Sequence, residues 1–77
     1  MNTCGIEEDV IVHPVDGMQL SEGFIREDGP HHFQGYLPGL ELDAGDTVDE
    51  VLFRMEQKAK AYYGDDVVVE IVHHNGT

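Results

Sequence analysis

The chain has 77 residues, with 16 Asp and Glu against 4 Lys and Arg, for a formal net charge of −12. So few cations cannot displace counterions along a phosphate backbone, so direct nucleic acid binding is not expected, nor is docking on an anionic membrane. The 40% apolar content falls in periodic segments and supports folding, but a chain this short buries only about 60–65% of its unfolded surface. A homo-oligomer would add the buried area that one copy lacks.

The opening residues MNTCGIEED read as a flexible acidic lead-in over residues 1–9 of a single domain spanning 1–77. They hold neither the basic nor the apolar region of a signal peptide, and no apolar run nears the roughly 20 residues of a membrane span. Cys4 is the only cysteine. No internal disulfide can form, which suits a reducing compartment. The expectation is a cytoplasmic protein with no membrane partner.

Val10–Val15 has strand composition and should end at Pro14 or lie on an edge, because proline lacks the N–H donor. Asp16-Gly17 marks a turn. Met18–Glu27 reads as the next strand, with Met18, Leu20 and Phe24 on one face, Glu22 interrupting, and Gly23 inviting a bulge. After the turn at Asp28–Pro30, His31–Leu37 alternates. Phe33, Gly35 and Leu37 face one way, His32, Gln34 and Tyr36 the other. The pair reads as a hairpin. The crossing that follows leaves room for a short strand at Leu40–Leu42.

A helix comes next. Thr47 stands as N-cap with Glu50 three residues later, the capping-box spacing. Asp49 and Glu50 sit where the macrodipole favours carboxylates. Val48, Val51, Leu52, Met55, Ala59 and Tyr62 make one apolar stripe. Lys58 and Lys60 lie near the C-terminus, and Gly64 follows as the stop. Val67–His74 is a strand, apolar on both faces apart from Glu70, and so expected to be internal or covered by a helix and a partner chain. The elements predict an α+β fold: a thin antiparallel β-sheet packed on one α-helix, in the order β-β-(β)-α-β. The helix-free face, with Tyr36, Val68 and Val72, or an exposed sheet edge, is the leading candidate interface.

Catalytic and metal chemistry find little support. His13, His31-His32 and His73-His74 could converge with Glu70 or Asp16. Adjacent strand residues point to opposite faces, however, so each pair offers one ligand to any site. No HExxH is present, and solvated or hydrogen-bonded imidazoles are the simpler reading. Carboxylate-pair hydrolysis needs a cleft that one helix on a thin sheet does not offer. No enzyme activity, metal or cofactor is expected. The segment ELDAGDTVDE carries Glu41, Asp43, Asp46, Asp49 and Glu50 without EF-hand order. These carboxylates serve either helix capping and solvation or contact with a basic protein. With Tyr36 as an apolar contact they form the candidate partner-binding set.

The residues YLPGL (Tyr36–Leu40), GDT (Gly45–Thr47) and DEV (Asp49–Val51) resemble the HicB family of antitoxins over about residues 20–64. That family shows a hairpin ending in a Pro-Gly segment, then Gly-Asp-Thr, then an acidic helix start. Here the spacing between Pro-Gly and Gly-Asp-Thr is one residue longer, Leu40 replaces a common cysteine, and no DNA-binding segment is recognised after Val72. The resemblance implies an acidic domain that binds and occludes a small basic RNA-cleaving toxin, with no catalytic residue of its own, and that oligomerises through its sheet.

Two other readings fit the charge. One is a small phage-type inhibitor that imitates nucleic acid toward a nucleic-acid-handling complex, as anti-CRISPR proteins do. The other is a structural or metal-binding domain of a halophile, whose carboxylates would repel one another at low salt.

Overall fold

The computed structural model describes residues 7–72, so Cys4, His73 and His74 lie outside the described residues. The chain runs β1 (Glu7–Pro14), β2 (Ser21–Glu27), β3 (Phe33–Tyr36), β4 (Asp43–Gly45), α1 (Val48–Tyr63) and β5 (Val67–Val72). All five strands form one antiparallel sheet in the order β4-β3-β2-β1-β5, with α1 on one face. The α+β class is as the periodicities predict. The element order is corrected: four strands precede the helix, so the chain is β-β-β-β-α-β.

β1 starts earlier than its composition suggests. Glu7, Glu8 and Asp9, expected in the lead-in, pair with Arg26, Ile25 and Phe24 of β2. β5 on the other side makes β1 an interior strand, and ladder bonds outweigh the poor strand propensity of acids. The strand closes on Pro14, as its missing donor requires. β2 is shorter than expected, because Met18 and Leu20 lie exposed in the preceding loop. The small residue at Gly23 serves close approach rather than a bulge. Its pairing with Val10 is in continuous register, and a Cβ there would stand 1.8 Å from the Tyr36 carbonyl oxygen.

The optional strand falls at Asp43–Gly45, not at Leu40–Leu42. Leu40 N–H donates to the Leu37 carbonyl at 3.1 Å, closing a turn through Gly39 at φ 85°. Only beyond that turn can the chain run back along β3, where Asp43 pairs with Gly35. α1 then leaves the β4 edge, crosses the sheet and delivers the chain to the opposite edge, where β5 pairs with β1. β5 is thus an edge strand rather than an internal one.

The core lies between sheet and helix. Val10, Val12, Ile25, Leu37, Val67 and Val69 from the sheet side meet Val51, Met55 and Ala59 from α1, all buried. Gly35 sets how closely the helix sits, since a Cβ there would come within 2.5 Å of Met55 Sδ and 2.6 Å of Val51 Cγ1. The helix N-terminus is capped by Thr47, whose hydroxyl accepts from Glu50 N–H at 3.1 Å. The Glu50 carboxylate accepts instead from Asp46 N–H, so the reciprocal bond forms one residue earlier than the motif predicts. The stripe also shifts at its end: Tyr62 is 62% exposed, and Tyr63 packs against the core in its place.

Candidate protein-binding face

Strand alternation puts a different set of side chains on the side away from α1. Register defines the rows. Val68 lies beside His13. Glu70, Ile11 and Glu22 form the next row, then Val72, Asp9, Phe24 and Tyr36, then Glu7, Arg26 and Gln34. No described residue from another element covers this surface. Tyr36 and Val72 are each 37% exposed on it. Phe24 and Tyr36 pack ring to ring with centroids 5.4 Å apart, and the Arg26 guanidinium lies 5.9 Å from the Phe24 centroid. An aromatic pair at the middle of a half-exposed surface is fixed in place yet accessible, as an anchor must be.

His13 and Glu70 tie two strands together on this face. His13 Nε2–H donates to Glu70 Oε2 at 2.8 Å, and Nδ1–H donates to the Pro14 carbonyl at 2.7 Å. Two acceptors facing the two ring nitrogens favour the doubly protonated, cationic ring. The Glu70 hydrogen bond, followed by that to Pro14, raises the His13 pKa above its ordinary value against the opposing effect of burial. No charge surplus arises there, because Glu70 is the counterion.

The predicted carboxylates lie elsewhere. Asp43 sits on the helix side of β4, and Lys58 Nζ reaches its Oδ1 at 3.1 Å. Glu50 Oε2 pairs with Arg54 at 2.9 Å. Glu41, Asp46 and Asp49 are exposed around the same corner. The structure therefore gathers the five acids but separates them from Tyr36, which points to the other face. Residues 41–60 carry six carboxylates and three of the four Lys and Arg, whereas the remaining ten carboxylates share only Arg26. The negative excess is spread over both parts, and Glu41, Asp46 and Asp49 stay exposed at the acidic corner. Two of the five acids thus have a cation from α1, a pairing that the helical spacing of Arg54 and Lys58 allows.

Other chemistry is thin. Among the described residues no group of three or more His, Cys, Asp or Glu is placed to hold a metal. His32 bonds locally to the Asp28 carbonyl at 3.1 Å. A shallow depression of about 330 Å³ lies between the Gly39–Glu41 turn and Lys58, Ala61 and Tyr62, where the turn fails to fill the space under the last helical turn. Its Lys58 already serves Asp43. Among the described residues, no helix is long and apolar enough to cross a membrane. No family model, curated protein or solved structure matches the chain.

Proposed function

We propose that this chain is a non-enzymatic, acidic protein-binding domain acting in the cytoplasm, which docks a basic protein on the helix-free face of its sheet. One observation carries the reading: that face sets the Phe24–Tyr36 pair, Ile11, Val68 and Val72 among the carboxylates Glu7, Asp9, Glu22 and Glu70. An apolar centre whose surrounding carboxylates outnumber Arg26 and His13 suits a partner with an apolar spot framed by Lys and Arg. The centre supplies residence, and the carboxylates speed encounter.

The HicB-like stretch from Tyr36 to Val51 supports the choice of partner. A toxin that cleaves RNA must present cations to its substrate, and a protein offering carboxylates and an aromatic anchor to that surface would occlude it. The role is inhibition by cover, and it asks no catalysis of this chain.

The test is calorimetric titration of the full chain with the small basic protein encoded beside it. The expected result is a complex that weakens as salt rises and blocks RNA cleavage. Tyr36→Ala and Glu22→Lys each weaken it tenfold or more, while Asp49→Lys changes it less than threefold. Absence of such a basic neighbour, or a complex indifferent to Tyr36→Ala and Glu22→Lys, overturns the reading.

A further inference from the structure

The two hydrogen bonds of His13 do different work. The bond from Nδ1 to the Pro14 carbonyl, 2.7 Å, is local and holds the ring in place. The bond from Nε2 to Glu70 Oε2, 2.8 Å, crosses to β5 on the open face. A partner reaches this second bond through its acid, since the Glu70 side chain is 53% exposed and that of His13 only 23%. The strands beside the ring add more carboxylates. Glu70 faces it from β5, Glu22 stands on β2 across Ile11, and Asp9 lies one row further. Asp16 follows in the loop. Asp65 and Asp66 lie exposed at the foot of β5, where Val15 N–H donates to the Asp66 carbonyl at 2.8 Å. From α1, Lys60 Nζ reaches the Asp65 carbonyl at 3.5 Å.

Resting on the docking proposed above, we infer that the basic partner drives the proton off His13 as it binds, so that the open face exchanges a proton for a partner cation. In the free chain Glu70 is the counterion of the ring. A Lys or Arg of the partner that takes the Glu70 carboxylate removes that counterion and sets a second cation against the ring. The Nε2 proton leaves to water. Nδ1–H still donates to the Pro14 carbonyl, and the bare Nε2 becomes an acceptor for the same partner cation. One cation arrives on the pair and one proton leaves it. Glu22, Asp16, Asp65 and Asp66 attract the partner on either side of this exchange.

The free ring holds its proton above the ordinary histidine value, through Glu70 first and Pro14 second. The docked ring gives it up at lower pH. Between those two values the partner binds more tightly as pH rises, by about tenfold per pH unit at most for one proton, and outside them the affinity is flat. A tie that only joins β1 to β5 would keep its proton in the complex and give no slope.

The experiment is calorimetric titration of the full chain with a small basic RNA-cleaving protein between about pH 6 and pH 8, in paired buffers of different ionisation enthalpy, for the native chain and His13→Gln. The difference between the two chains isolates this ring from every other histidine of either protein. The expected result is about one proton released per native complex that the variant does not release. Native affinity gains at least fivefold more across the range than that of the variant. A second measurement needs no variant: NMR of the His13 ring in the native chain, at constant pH, moves to the signals of neutral imidazole on docking. Equal proton release from the two chains, or a ring that stays doubly protonated in a complex weakened by Tyr36→Ala, overturns the inference and leaves the docking in place. No complex at any pH overturns both.

Discussion

The helix-covered face and the open face of the sheet come from the same five strands, yet they solve opposite problems. On the covered face every large contact is completed within the chain: Gly35 admits Met55 and Val51, and Val10, Val12, Val67 and Val69 close around Ala59. On the open face Phe24, Tyr36, Ile11 and Val72 pair across the strands, and Tyr36 and Val72 stay 37% exposed. Charge divides in the same way. Three of the four cations ride on α1, where they balance Asp43, Glu50 and Glu56. The open face keeps its carboxylates with Arg26 and a histidine. Stability is therefore concentrated on one side, and half-exposed apolar side chains are left on the other.

This contrast sets the scale of each perturbation. Met55→Ala on the covered face should cost about 2–5 kcal/mol, a large part of the roughly 4–12 kcal/mol that a chain of this size holds, read as a drop in the urea midpoint. Tyr36→Ala on the open face should cost only about 0.5–1.5 kcal/mol, the loss of one aromatic pairing, in the same titration. If the two were equal, the open face would be behaving as core, and the contrast would be lost.

A subtler effect follows from His13. Its pKa is raised in the folded chain by Glu70 and the Pro14 carbonyl. A raised value means that folding binds the proton more tightly. The stabilisation is thus complete below the ordinary histidine value, and it fades as pH rises through the higher folded one. Thermal midpoints between about pH 6 and pH 8 should fall with rising pH in the native chain, and Glu70→Gln should flatten that slope. An identical slope in the variant would show that His13 is not held by Glu70. The smallest effect belongs to the β4–α1 corner. Lys58→Met should cost no more than about 1 kcal/mol, because surface pairs contribute little. A greater loss of stability would make that corner part of the core.

Much of this architecture can be read in the residues. Thr47, the stripe from Val48 to Ala59 and Gly64 bound α1 almost to the residue, because capping and periodicity act locally. The alternation of Phe33, Gln34, Gly35 and Tyr36 gives the two faces correctly. What was hidden depends on distant partners. Glu7–Asp9 belong to a strand because β2 pairs with all three and β5 reaches Asp9, and Asp43–Gly45 form one because β3 lies alongside. The candidate site was half legible. Tyr36 was on the open face as alternation required, but the pairing of Asp43 with Lys58 and of Glu50 with Arg54 depends on where the helix lies against β4.

The division between faces is tested most directly by methyl-resolved NMR of the full chain titrated with a small basic RNA-cleaving protein, the partner class proposed above. The account predicts shifts at the Ile11, Val68 and Val72 methyls and the Tyr36 ring, with Leu40 and Leu42 at the acidic corner unmoved. Shifts confined to Leu40 and Leu42, with Ile11 and Val68 silent, would contradict it.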